Sequence, residues 1–273
     1  MNHIQSQFKT EEGVSIPYHS WEIRQGGYKW VALVLQGPFL AANKNKRFID
    51  FLLEKYFKVY APDIPEMTVA SGRTANYGGL REYAVNIESF RAFVEKKEGS
   101  LPIIPFVFSL SALPFLYYYF NVRPPVRAFA LFSPIFDCTG TLFGSSFLFK
   151  KRLNLKYHSS SILSDTVSER SEIEKEIERN GSVSKKLVKE LKKLSVNYPG
   201  KLEMAHTDVN VGIFFGEADS LISLSSINAL KDNLKAGRVS LYSYPRVKHI
   251  LFYDKYWKRT EDDLSLFLSG LAF

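Results

Sequence analysis

Three stretches of the chain carry residues that could run nucleophilic chemistry together. Ser109-Leu110-Ser111 follows one apolar run, Gly216-Glu217-Ala218-Asp219 follows a second, and Pro245-Arg246-Val247-Lys248-His249 follows a third. A hydroxyl is a poor nucleophile until an imidazole takes its proton. A carboxylate must in turn fix the tautomer of that imidazole and stabilise the imidazolium. Serine, aspartate and histidine in this chain order can fill those roles. Each has a plainer reading alone: serines ending a core strand, Asp219 as the N-cap of a helix from Leu221 to Lys235, and His249 as a loop histidine. Their shared position after apolar runs sets the three apart.

The serine stretch comes with its own local geometry. Ile103 to Phe108 reads as a buried strand, and Pro114 suits the first turn of a helix, where its missing N–H costs nothing. Strand, sharp turn and helix make a nucleophile elbow, which thrusts a serine above the sheet while the next backbone N–H faces a developing oxyanion. The elbow needs small residues two before and two after the nucleophile. Ser111 has Ser109 behind it, whereas Ser109 would have Val107, so Ser111 is the expected nucleophile and the Ala112 N–H the expected oxyanion donor. Leu113 then stands where the pattern has glycine. The charge-free run from Leu101 to Val122 is long enough, at about twenty residues, to cross a bilayer. Pro102, Pro105 and Pro114 would break such a helix, and the β-branched and aromatic first half reads as strand.

Positioning the three groups requires alternating strands and helices. Val14 to Ile23 alternates apolar with polar and reads as an edge hairpin strand, followed by buried Trp30 to Leu35. Phe48, Phe51, Leu52 and Tyr56 recur at helical spacing, Lys58 to Asp63 is a short strand, and Leu80, Tyr83, Ile87, Phe90 and Phe93 form a helix face. After the elbow come a strand over 126–132, one over 209–215, a helix through Ile227 and Leu230, a strand over 239–244 and a last helix ending at 264–271. Between Thr139 and Thr207 the composition shifts to Ser, Lys and Glu. This segment opens with the aromatic run Leu142 to Phe149 and continues as charge-rich helical stretches whose interleaved Glu and Lys read as solvated faces. The expectation is an α/β fold with a mostly parallel sheet flanked by helices. Residues 1–138 and 208–273 form its core, and 139–207 an inserted helical cap. Such sheets place their sites at the carboxyl ends of strands.

Composition sets the outer bounds. The 273 residues suffice for one large domain with an insertion, and the apolar content is ordinary for a chain with a sizeable core. The first residues lack the basic and apolar regions of a secretory signal, and the single cysteine, Cys138, leaves no internal disulfide; a cytoplasmic protein is expected. The formal charge of +8 permits peripheral contact with anionic membrane, aided by the Leu142 to Phe149 run. No Gly-rich phosphate loop and no spaced His or Cys cluster suggests a nucleotide or metal cofactor, and no nucleic-acid partner is expected.

Taken together, these motifs resemble the α/β-hydrolase family, in its lysophospholipase and monoacylglycerol-lipase branch, often grouped with the serine aminopeptidases. Phe8 to Val14 is similar to that branch's first strand pair, and Gly72-Arg73-Thr74 with Tyr83 to Ile87 to its G-x-S loop and following helix. Phe214 to Asp219 resembles its acid turn, and Lys248-His249-Ile250-Leu251-Phe252 the histidine motif of its lysophospholipases. The resemblance implies a serine hydrolase acting on monoacylglycerol or lysophospholipid esters through Ser111, Asp219 and His249. It also implies an acyl-chain pocket lined by Phe143, Phe147 and Tyr117. Asp137 is a position that some relatives use for the acid. The family's H-G-x is Gln36-Gly37-Pro38 here, and proline has no N–H to donate, so Phe39 after a shift of the loop, or Ala112 alone, would serve the oxyanion. A peptidase of the same superfamily, and a non-catalytic relative that binds a ligand or partner, are the other readings of these residues.

Overall fold

Apolar runs separated by helical periodicity fold into an eight-stranded sheet in the order β1-β2-β4-β3-β5-β6-β9-β10. The structure, a computed structural model, describes residues 1–24, 26–37, 45–64, 79–136, 152–154, 175, 182–201, 208–222, 224–233 and 238–271. The first half comprises β1 (Asn2–Lys9), β2 (Ser15–Glu22), β3 (Trp30–Leu35), α1 (Lys46–Glu54), β4 (Phe57–Pro62), α2 (Leu80–Glu98), β5 (Ile103–Phe108), α3 (Ala112–Val122) and β6 (Ala128–Phe132). The second comprises β7 (Arg152–Asn154), β8 (Ser182–Ser184), α4 (Lys185–Lys201), β9 (Asn210–Gly216), α5 (Leu224–Asn233), β10 (Arg238–Tyr244) and α6 (Trp257–Ser269).

β1 pairs antiparallel with β2, and β2 antiparallel with β4, while every later neighbour is parallel. The edge is therefore β1, and β2, expected at the edge, lies second in the sheet. β1 is mostly exposed and reads Asn-His-Ile-Gln-Ser-Gln-Phe-Lys, with too little apolar content to announce a strand. The central strands β3, β5 and β6 are almost wholly buried, as strands covered on both faces must be. One apolar layer joins the sheet to α2, α3, α4 and α5 through residues such as Phe90, Phe115, Leu187 and Ile227. The other joins it to α1 and α6 through Phe48, Phe106, Phe132, Leu264 and Phe267. The stretch from Leu101 to Val122 is thus strand, turn and helix, and no helix among the described residues is long and apolar enough to cross a membrane.

Of the segment 139–207, the described residues form the antiparallel β7–β8 pair, residue 175 and α4; Leu142 to Phe149 lies outside them. α4 buries Leu187, Val188 and Leu191 completely. It also closes the open N-terminus of α2, where Glu190 Oε2 accepts the Leu80 N–H at 2.6 Å and Lys186 donates to Glu82 at 2.9 Å. The Lys186 ammonium, with the Gly79 N–H, holds the Glu82 carboxyl down at about 2. Two donors that a helix start leaves without intrahelical partners are satisfied in this way, Gly79 by Glu82 and Leu80 by Glu190.

At the end of β4, burial pushes the Asp63 carboxyl from its ordinary 3.8 up to about 6. A raised carboxylate pKa means that the fold penalises the charged form, fully above about pH 6 and not at all below about pH 4. Asp63→Asn should therefore stabilise the protein at pH 8, by up to about 3 kcal/mol, and leave it nearly unchanged at pH 4. Denaturant midpoints at the two values check this, and equal shifts at both would remove the burial explanation.

Candidate active site

Parallel pairing brings the carboxyl ends of β3, β5, β6, β9 and β10 to one edge of the sheet, where Ser109, Ser111, Asp219 and His249 sit. The loops there are tied to one another through the backbone. Ile135 N–H donates to Ser109 O at 3.1 Å, Ser133 N–H to Phe214 O at 2.8 Å and Ala218 N–H to Val247 O at 3.0 Å. Ser133 Oγ donates to the carbonyl of His249 at 2.6 Å, so the histidine loop is held from the neighbouring strand.

The serine that meets the imidazole is Ser109. Its Oγ lies 2.7 Å from His249 Nε2, and His249 Nδ1 lies 2.6 Å from Asp219 Oδ2. An ionised carboxylate only accepts, so Nδ1 carries the proton, and Nε2 is left as the acceptor for the Ser109 hydroxyl. The second Asp219 oxygen accepts the Leu221 N–H at 2.9 Å, the helix-start bond of its plainer reading; one carboxylate does both jobs. All three groups are buried, Ser109 at 6 % exposure, Asp219 at 5 % and His249 at 5 %. Solvent therefore competes little for these bonds.

Ser111, the expected nucleophile, is bonded elsewhere. Ser111 Oγ donates to Gln36 O at 2.6 Å, fastening the turn to the end of β3, and is 1 % exposed. Ser109 instead holds the left-handed backbone of a sharp elbow, φ +56°, rare for a residue with a Cβ. The objection that Val107 fills the tight position fails because the close approach comes from a neighbouring strand. A Cβ on Gly37 would stand 2.9 Å from Ser109 Cβ and 3.2 Å from Phe108 O. Val107 points into the core and is fully buried. With Ser109 at the apex, Ser111 is the small residue two positions on, and Leu113 no longer occupies a required glycine site.

The oxyanion expectation changes with it. The Ala112 N–H is committed to Ser109 O, closing the short 3₁₀ turn Ser109–Ser111, and the residue following the apex serine is Leu110. Phe39, Phe143, Phe147 and Asp137 lie outside the described residues. Tyr117, on α3, packs against the apolar core and is not among the residues lining the cavity beside Ser109. That cavity holds about 430 Å³ counting its open mouth, and Gly37, Ser109, His249, Phe108, Phe132 and Phe252 are among the residues that line it.

Gly216 makes the close approach of acid and base loops possible. A Cβ there would lie 2.1 Å from Val247 O and 2.5 Å from Val247 C, which are backbone atoms with no rotamer to yield. Gly216→Ala should destabilise the fold by about 1–3 kcal/mol through overpacking. Because the displaced segment carries His249, any reaction that needs the Ser109–His249 contact should slow by roughly 10²-fold. A variant with wild-type midpoint and rate would show that the contact is not needed.

The sheet order, the two antiparallel pairings at one edge and a serine on a left-handed turn after the fifth strand define the α/β-hydrolase fold. By sequence, no family model and no curated protein matches the chain. Solved structures match it along nearly its whole length. A soluble variant of monoglyceride lipase from Saccharomyces cerevisiae, in complex with a substrate analog, superposes with a TM-score of 0.83 at 16 % identity, covering 98 % of this chain and 95 % of the lipase. A thermostable carboxyl esterase from Bacillus coagulans, in complex with glycerol, gives 0.74 at 13 % identity, with 99 % of each chain covered. Est1E from Butyrivibrio proteoclasticus, bound to ferulic acid, gives 0.69 at 14 %, covering 97 % of this chain and 98 % of that one.

Proposed function

We propose that the protein is a serine ester hydrolase with Ser109 as nucleophile, His249 as general base and acid, and Asp219 as the carboxylate that orients the imidazole. The observation that carries this reading is the unbroken line of hydrogen bonds from Ser109 Oγ through His249 to Asp219. Ser109 Oγ attacks the ester carbonyl as its proton passes to His249 Nε2, and negative charge gathers on the carbonyl oxygen. The Leu110 N–H, next after the apex serine, donates to that oxygen. Collapse breaks the bond to the alcohol, which leaves with the proton from Nε2, and the acyl group stays on Ser109. Water, deprotonated by the same nitrogen, then releases the acid and restores Ser109. Asp219 does not change protonation; it holds Nδ1–H and offsets the charge of the imidazolium.

The substrates proposed are single-chain esters, of monoacylglycerol or lysophospholipid type. Supporting this are the apolar side chains of Phe108, Phe132, Ile250, Leu251 and Phe252 lining the cavity beside Ser109 and the likeness to a monoglyceride lipase bound to a substrate analog. In this reading the segment 139–207 is a cap over the same sheet edge, anchored to the body by α4. Turnover of a medium-chain aryl ester against an aminoacyl anilide tests the reaction class: hydrolysis of the ester is expected, and cleavage of the anilide alone would make the protein a peptidase.

A further inference from the structure

Two buried polar atoms on residues that line the Ser109 cavity have no hydrogen-bond partner among the described residues: Gln36 Nε2 and Asn45 Oδ1. Gln36 is 8 % exposed and Asn45 3 %, so water at the surface does not account for them. Leaving a buried donor or acceptor unmet costs roughly 1–3 kcal/mol, which a protein sustains where a ligand meets the need. Asn45 is the more telling of the two. It occupies the N-cap of α1, where asparagine normally accepts from its own helix, yet its side chain makes no capping bond. Gln36 is held in place from the other side by Ser111, which donates to its carbonyl.

The cavity they line is shared with Ser109 and His249. His249 Nε2 must deliver its proton to the departing alcohol, so that alcohol lies against the imidazole. The cavity wall is His249 itself with Leu251 and Phe252 that follow it. A donor on Gln36 and an acceptor on Asn45, two residues of one cavity lining, are met together by a group that accepts one hydrogen bond and donates another, and a hydroxyl does both.

Resting on the hydrolase reading, we infer that Gln36 and Asn45 form a specificity pair for a free hydroxyl on the alcohol part of the ester: Gln36 Nε2–H donates to it, and it donates to Asn45 Oδ1. A polyol monoester fills the pair, and a simple alkyl ester leaves both atoms unmet.

The test compares kcat/KM for monooctanoylglycerol with that for propyl octanoate, which keeps the carbon skeleton and lacks the hydroxyls. Wild-type protein should favour the glycerol ester at least about tenfold. Gln36→Met and Asn45→Leu, each confirmed as folded by a cooperative thermal transition, should each lower that ratio by roughly tenfold. A wild-type ratio near one overturns the proposal without needing either variant. So does an unmoved ratio in both folded variants, which would mean that the two atoms hold only a structural water. Hydrolysis of both esters without preference leaves the hydrolase reading standing, whereas turnover of neither by wild-type protein removes that reading and the proposal with it.

Discussion

Ser109→Ala should abolish covalent labelling by a fluorophosphonate and lower ester turnover by at least about 10⁴-fold, while Ser111→Ala still takes the label. The phosphonyl centre mimics the acyl carbon and reacts only with an activated hydroxyl. Activation here means a hydrogen bond to an imidazole, and the one at 2.7 Å belongs to Ser109. Ser111 spends its hydroxyl proton on Gln36 O and is almost fully enclosed, so its loss should slow labelling by no more than about tenfold, the worth of one neutral hydrogen bond. The labelled peptide, sequenced by mass spectrometry, distinguishes the two positions directly. Label on Ser111, or full activity in Ser109→Ala, would refute the assignment.

Asp219→Asn should lower turnover by about 10⁴-fold with little change in substrate affinity, and His249→Ala should nearly abolish labelling of Ser109. An asparagine at 219 that keeps its carbonyl oxygen on the Leu221 N–H turns its amide toward His249. The imidazole must then accept at Nδ1 and carry its proton on Nε2, where it cannot take one from Ser109. The carboxylate side chain of Asp219 is fully enclosed, which strengthens the effect, since no solvent dipole replaces the lost charge. Asp137→Asn provides the contrast and should cost far less. If Asp137→Asn were the more damaging of the two, the acid would have to be reassigned. A cooperative thermal transition in the Asp219 variant checks that turnover is lost without loss of the fold.

How much of this was readable from residues alone follows from the range of each interaction. The β-α alternation, the strand ends that carry serine, acid and base, and the choice of Asp219 and His249 are local properties. Apolar runs such as Ile103 to Phe108 and Asn210 to Phe215 announce buried strands, and a strand's exit from the sheet marks where a side chain reaches the edge. The charge-free run through Leu113 likewise declares strand and helix, not a membrane span, because its prolines act within one turn. Of β1 only the last residues, Phe8 and Lys9, are legible, through the resemblance, since its partners lie across a turn and its own side chains are mostly in water.

Which serine meets the imidazole was not a local matter at all. Judged within its own strand, Ser109 stands two residues after bulky Val107, and Ser111 looks the better apex. What frees Ser109 is Gly37, seventy-two positions earlier in the chain, whose missing Cβ leaves the space that the elbow occupies. The phase of the turn is then set by two more distant bonds, Ser111 to Gln36 and Ser109 to His249. The orphaned pair Gln36 and Asn45 is of the same kind, because an unmet hydrogen bond exists only once every possible partner has been placed. Sequence determines which strands exist and what chemistry ends them. Packing between strands decides which of two adjacent serines turns toward the histidine, because that choice depends on space contributed by another strand.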